Sequence, residues 1–261
     1  MIVQTKPAAL EDPVCGGIFE CTFRSERDNT LQTFLIKDYR SQDSPAGSTA
    51  VIYLHGSGSH QEQGMTRGIY GGAFERWGEE FARRKVIHVC PEYRGNSWMG
   101  PAAVDDVRQI IRLISARFGP SRVILFGGSM GGTSALIFAC FHPELVESVI
   151  ALCPASDPAE MYPAFSQEMA FSYGGSPDEK PEEYQARRTR DRVGLLAGKA
   201  IAIVHGEADL VIPVGHSRTL VHCLQKTSAN LRYREIPGGD HDSPVQACPR
   251  ELMRFVMKEE N

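Results

Sequence analysis

The sequence predicts an α/β protein: a doubly wound, mostly parallel sheet of about eight strands, with an antiparallel N-terminal edge and a short helical insert. Three observations predict it. Short apolar runs at 50–54, 86–90, 123–126 and 200–204 suit strands buried on both faces. The segments between them place apolar residues at helical spacing, and several of the runs end on glycine or proline. An open sheet of this kind builds its site at the carboxyl ends of its strands.

Taken in order, residues 18–23 and 31–36 alternate apolar and polar and are separated by Arg27-Asp28-Asn29-Thr30, which predicts an antiparallel hairpin. A polar loop at 41–48 precedes a strand that ends in His55-Gly56-Ser57-Gly58. Phe74, Trp77 and Phe81 mark a helix, and residues 86–91 a strand that Pro91 stops. Asp105 and Asp106 open a helix whose apolar face is Val107, Ile110, Ile111, Ile114 and Phe118, closed by Gly119-Pro120. A strand at 123–126 and a helix at 133–141 follow, then another strand within 145–154. The alternation breaks at about 155–198, a stretch with prolines, a Gly174-Gly175 pair and a charged tract. Tyr162, Phe165, Met169 and Tyr173 recur there at helical spacing, predicting a small cap-like insert over the carboxyl edge of the sheet. A strand at 199–206, a helix at 214–225, a strand at 231–236 and a last helix ending near Glu259 complete one domain spanning 1–261.

Composition excludes several classes. The formal net charge is -4 and the basic residues are interleaved with acids, so neither nucleic acid nor an anionic membrane is an expected partner. The first residues lack the apolar core of a signal peptide, and no run approaches the roughly 18 apolar residues of a membrane span. Seven scattered cysteines fit reduced thiols and a cytoplasmic location better than a disulfide framework, although Cys15 and Cys21 stand close enough in sequence to pair. Cys90, Cys140 and Cys153 fall in or beside core elements, and none has zinc-like spacing; no metal or cofactor is expected.

The chemistry centres on Gly127-Gly128-Ser129-Met130-Gly131-Gly132, which lies between a buried strand and a helix. A serine on such a sharp strand-to-helix turn is a nucleophile elbow, and glycines are needed where a Cβ would collide. Serine is a weak nucleophile without a base and a group that orients the base. Asp209 follows one downstream strand end and His241 another, giving the chain order Ser, Asp, His. The imidazole must be neutral to accept the serine proton, so turnover is expected to fall as pH drops through about 6 to 7.

The elbow, the His205-Gly206-Glu207-Ala208-Asp209 loop and the Gly238-Gly239-Asp240-His241 loop make the stretch from about residue 49 to the C-terminus resemble an α/β hydrolase, similar to the catalytic domain of the prolyl-oligopeptidase-like branch. That resemblance implies Ser129 as nucleophile, His241 as general base and acid, and Asp209 as the carboxylate orienting it. Met130 supplies one oxyanion-hole N–H, and the family pattern favours Ser57 for the second, with Gly58 next. The Tyr93-Arg94-Gly95 loop resembles a structural loop of that branch, which leaves Trp98 as a candidate pocket wall. Tyr162, Phe165, Met169 and Tyr173 either line the pocket or form the core of the insert. His55 and His205 brace their turns, and two of Glu207, Asp240 and Asp242 serve as loop ligands or caps, with Asp242-Ser243-Pro244 a helix start.

A serine hydrolase cleaving a small or medium carboxylic ester through an acyl-enzyme is the expected function. A peptidase acting on short peptides is the alternative; the roughly fifty residues before residue 49 are too few for the propeller of larger oligopeptidases, which favours the ester. A noncatalytic binding protein on the same fold is the third reading.

Overall fold

The computed structural model describes residues 1–8, 17–41, 48–66, 70 and 72–259. Nine strands form one sheet: β1 (Ile2–Pro7), β2 (Phe19–Arg24), β3 (Leu31–Asp38), β4 (Thr49–Leu54), β5 (Ile87–Pro91), β6 (Arg122–Gly128), β7 (Ser148–Leu152), β8 (Ala200–Gly206) and β9 (Asn230–Ile236). Their spatial order is β1-β2-β3-β5-β4-β6-β7-β8-β9. β1, β2 and β3 pair antiparallel and β3 joins β5 antiparallel, whereas β5, β4, β6, β7, β8 and β9 run parallel.

Helices cover both faces, which is why β4, β5, β7 and β8 are buried at every residue and read as unbroken apolar runs. Ala50, Ile52 and Leu54 point into one core with residues of α2 (Pro101–Phe118), α3 (Met130–Phe141) and, later in the chain, α7 (Gly215–Leu224). Val51 and Tyr53 point into the other, with Phe74, Trp77 and Phe81 of α1 (Ala73–Arg83) and Leu252, Met253 and Val256 of α8 (Pro249–Val256). Among the described residues no helix is long and apolar enough to cross a membrane.

The insert between β7 and β8 holds α4 (Pro158–Met161), α5 (Ser166–Tyr173) and α6 (Pro181–Ala186). The Asp157 side chain accepts from the Ala159 N–H at 3.0 Å and caps α4, as its residue type favours. The insert is fastened to the loop after β5: Tyr173 Oη donates to the Trp98 carbonyl at 2.6 Å, Ser172 Oγ to that of Ser97 at 2.6 Å, and Arg187 Nε to that of Met99 at 2.7 Å.

Three differences from the sequence expectation have physical causes. β1 makes nine strands where about eight were expected; it is an exposed edge strand with only Ile2 half-buried, so it carries no apolar alternation. α2 starts at Pro101, four residues before Asp105, with proline in the first turn where its missing N–H is harmless. α3 starts at Met130, since the turn that holds Ser129 is already the start of the helix. Cys15 of the suggested Cys15–Cys21 pair, and most of the polar loop at 41–48, lie outside the described residues.

Candidate active site

Ser129 stands between β6 and α3 with φ 58° and ψ -124°, a left-handed conformation that is strained for any residue with a Cβ. The turn survives because its neighbours lack side chains. A Cβ on Gly131 would sit 1.9 Å from the Leu54 carbonyl oxygen, and one on Gly127 would sit 2.4 Å from the Gly131 carbonyl carbon. Closeness of α3 to β4 and β6 is therefore conditional on glycine, and it lifts the serine hydroxyl above the carboxyl edge.

His241 comes from the loop after β9 and Asp209 from the loop after β8. His241 Nε2 lies 2.9 Å from the Ser129 hydroxyl oxygen, and His241 Nδ1 lies 2.7 Å from Asp209 Oδ2, each within hydrogen-bond distance. Asp209 is held rigidly: its Oδ1 accepts from the Val211 and Ile212 N–H groups at 2.8 and 2.9 Å, and Oδ2 lies 3.2 Å from His205 Nε2. The two loops are laid against each other. Ala208 N–H donates to the Gly239 carbonyl at 2.8 Å and Glu207 N–H to that of Ile236 at 3.0 Å, and a Cβ on Gly206 would meet the Asp240 carbonyl oxygen at 2.2 Å.

Burial disfavours charge on both Asp209 and His241, but their mutual hydrogen bond and charge outweigh it. The carboxyl, also bonded by His205 and the Ile212 N–H, is held well below the usual carboxylate range. The imidazole, supported by Asp209 and by the Cys153 thiol, is raised to about 10. Pairing with the carboxylate thus favours the charged imidazole, a tightness that sequence order alone does not reveal.

His205 is fully buried, with Nδ1 2.6 Å from Ser217 Oγ and Nε2 2.8 Å from the Ile212 carbonyl, so it braces the Asp209 loop. His55 is likewise buried, with Nδ1 2.9 Å from the Gly56 carbonyl and Nε2 3.1 Å from that of Glu92. Glu207 Oε2 accepts from the Gly238 N–H at 3.0 Å, and Asp240 rather than Asp242 caps the turn at Ser243, accepting its N–H at 3.0 Å.

Among the described residues the Met130 and Ser57 N–H groups donate to no protein acceptor, while the Gly58 N–H is taken by Asn96 Oδ1 at 2.7 Å. Of the two N–H groups expected after β4, that of Ser57 is thus the one without a protein acceptor among the described residues. Gln63 shapes this loop, its Oε1 accepting from the Gly56 N–H at 2.8 Å and from Tyr53 Oη at 2.9 Å.

A cleft of about 630 Å³ opens over Ser129 and His241, walled by Gln63, Tyr70, Phe74, Asn96, Phe165, Glu168 and Val211. Its inner end narrows to a pocket of about 30 Å³ between Tyr53, Phe126, Leu152, Cys153 and Val245. Of the insert stripe only Phe165 reaches the cleft. Met169 and Tyr173 are buried in the core, and Tyr162 packs edge-on against Tyr184 with centroids 5.8 Å apart, so these three are insert core and not pocket wall. Trp98 is fully buried behind Phe165, ring centroids 4.8 Å apart, and is also not a wall. Gln63, Tyr70 and Phe74 escaped sequence reasoning: Phe74 read only as a helix core residue, and the short turn carrying Gln63 has no periodicity.

Residues 80–257 match the prolyl oligopeptidase family. The chain is 26% identical over 136 residues to monoacylglycerol lipase abhd6-A of Xenopus laevis, covering 49% of this chain and 36% of the lipase. It is 27% identical over 159 residues to the uncharacterized peptidase YtmA of Bacillus subtilis, covering 56% of this chain and 61% of YtmA. The chain thus spans less than two thirds of either relative. The S-formylglutathione hydrolase of Agrobacterium tumefaciens shares the fold, with a TM-score of 0.71 and 16% identity over 100% of this chain and 99% of that one. The family match runs from α1 to α8 and takes in the elbow and both loops that meet at His241: this α/β-hydrolase chain belongs to the prolyl oligopeptidase family.

Proposed function

We propose that the protein is a serine hydrolase that cleaves short carboxylic esters through an acyl-enzyme. The observation that carries this reading is the continuous chain of contacts from Ser129 Oγ through His241 to Asp209. In this reading His241 Nε2 takes the serine proton as Oγ attacks the ester carbonyl, and Asp209 stabilises the imidazolium that forms. The N–H groups of Met130 and Ser57 receive the charge developing on the carbonyl oxygen. His241 then returns its proton to the departing alcohol, and water repeats the sequence in reverse to free the acid.

Ester preference is supported by the narrow apolar inner pocket, which suits a small substituent, and by fold similarity along the full length of an S-formylglutathione hydrolase. Similarity to YtmA supports the second reading, a peptidase on short peptides. A reducing, cytoplasmic setting is part of the same reading and rests on the odd number of scattered cysteines. A panel of p-nitrophenyl esters run beside aminoacyl and prolyl anilides tests the reading. Faster turnover of anilides than of p-nitrophenyl acetate would transfer it to the peptidase. Failure of the native protein to label with a fluorophosphonate probe would remove both.

A further inference from the structure

Cys153 directly follows β7, and no step of the proposed hydrolysis uses its thiol. Its thiol, one carboxylate oxygen of Asp209 and a ring nitrogen of His241 all lie within 4.8 Å of one another. The three residues follow three different strands, so their juxtaposition has no sequence spacing. The thiol also reaches the His241 backbone carbonyl at 3.5 Å, and its residue has φ 40°, which turns the chain at the strand end toward the histidine loop.

We propose that Cys153, His241 and Asp209 form a site for zinc or a similar borderline-soft divalent cation, whose occupancy switches hydrolysis off. The donor set is one sulfur, one nitrogen and one oxygen, a combination that suits zinc and disfavours magnesium or calcium. Ligands about 2.0 to 2.3 Å from a tetrahedral ion stand roughly 3.4 to 3.7 Å apart, so the cluster needs to adjust by little more than about 1 Å. Asp209 and Cys153 are buried, but Cys153 and His241 both line the inner pocket, which is continuous with the cleft and gives an ion a way in.

Binding forms a metal–sulfur bond and releases the thiol proton to solvent. It also commits the one lone pair of the neutral imidazole. Coordination at Nδ1 leaves the ring proton on Nε2, facing Ser129, and coordination at Nε2 uses the lone pair directly; in either case the serine proton has no acceptor. The inhibitory half of the proposal rests on the reading of His241 as the base, whereas the site itself does not.

The test uses the intact protein and two probes. Titration with cobalt(II) should produce a near-ultraviolet thiolate-to-metal charge-transfer band, absent from Cys153→Ser and unchanged in Cys248→Ser, whose thiol is exposed. Zinc should suppress p-nitrophenyl acetate hydrolysis, with an inhibition constant raised at least about tenfold in Cys153→Ser relative to that variant's own metal-free rate. Cys153→Ala, checked by thermal melting, guards against misfolding of the serine variant. The proposal is overturned by absence of the band in the wild type, by its survival in both Cys153 variants, or by zinc inhibition that Cys248→Ser abolishes and Cys153→Ser does not. A Ser129→Ala protein that remained active would overturn the hydrolysis reading and leave the cobalt band as it was.

Discussion

Replacing Asp209 by asparagine changes one atom, and the structure fixes which one. Oδ1 accepts two backbone N–H groups at 2.8 and 2.9 Å, so the amide oxygen of the new side chain must take that place. The amide NH2 then lies where Oδ2 stood, 2.7 Å from His241 Nδ1. Two donors cannot face each other, so the ring proton moves to Nε2 and presents a donor, not an acceptor, to Ser129. Loss of the tautomer is expected to lower kcat by on the order of 10⁴, about 5.5 kcal/mol in the barrier, with little change in KM. The measurement is steady-state hydrolysis of p-nitrophenyl acetate, with Glu207→Gln as comparison. The Glu207 side chain accepts from the exposed loop N–H of Gly238 and is itself exposed, so that change should cost less than about threefold. An Asp209→Asn enzyme within tenfold of wild type, or a Glu207 variant more impaired than it, would refute the reasoning.

Ser129→Ala should remove turnover by about 10⁴ or more and leave the melting temperature nearly unchanged, because glycines and not the hydroxyl shape the elbow; a tenth of wild-type activity remaining would overturn the assignment. The acid limb of the kcat/KM profile should have its midpoint above about 6.5, displaced toward 10, since a raised imidazole pKa means that a higher pH is needed to free the base; an ordinary midpoint in the wild type would contradict the tight Asp209 pairing. The same shift makes the charged imidazole a stabilising group below about 6.5, with that contribution lost as pH rises through about 10. Phe165→Ala should widen the accepted range of ester sizes, whereas Met169→Ala should cost about 2 to 5 kcal/mol of stability and leave the chain-length profile alone; comparison of acetate to octanoate esters with urea melts separates the two, and the reverse pattern would return Met169 to the pocket.

Much of this site was legible because its chemistry depends on local patterns. The strand-glycine-serine-glycine sequence, two later strand ends bearing Asp209 and His241, and the parallel alternation are short-range signals, and a doubly wound sheet brings such ends to one edge. The walls were not legible. Spacing alone marks Tyr162, Phe165, Met169 and Tyr173 as one apolar set; which of them faces solvent space depends on the bonds that tie α5 to Ser97 and Trp98. Likewise, the acceptor that occupies the Gly58 N–H and not that of Ser57 is Asn96, a partner 38 residues away. β1 gave no signal because an exposed edge strand has little apolar surface to hide.

The meshing of the loops after β8 and β9 has a mechanical consequence. With Ala208 and Glu207 bonded to the backbone of the histidine loop, and Gly206 leaving no room between them, acid and imidazole are bolted to one plate. Ser129 is bolted to another, two strands away in the sheet. The Asp209–His241 contact therefore lies within one bonded pair of loops, whereas the His241–Ser129 contact joins that pair to the elbow. In the proposed hydrolysis it is this contact, between separately anchored parts, that the serine proton crosses.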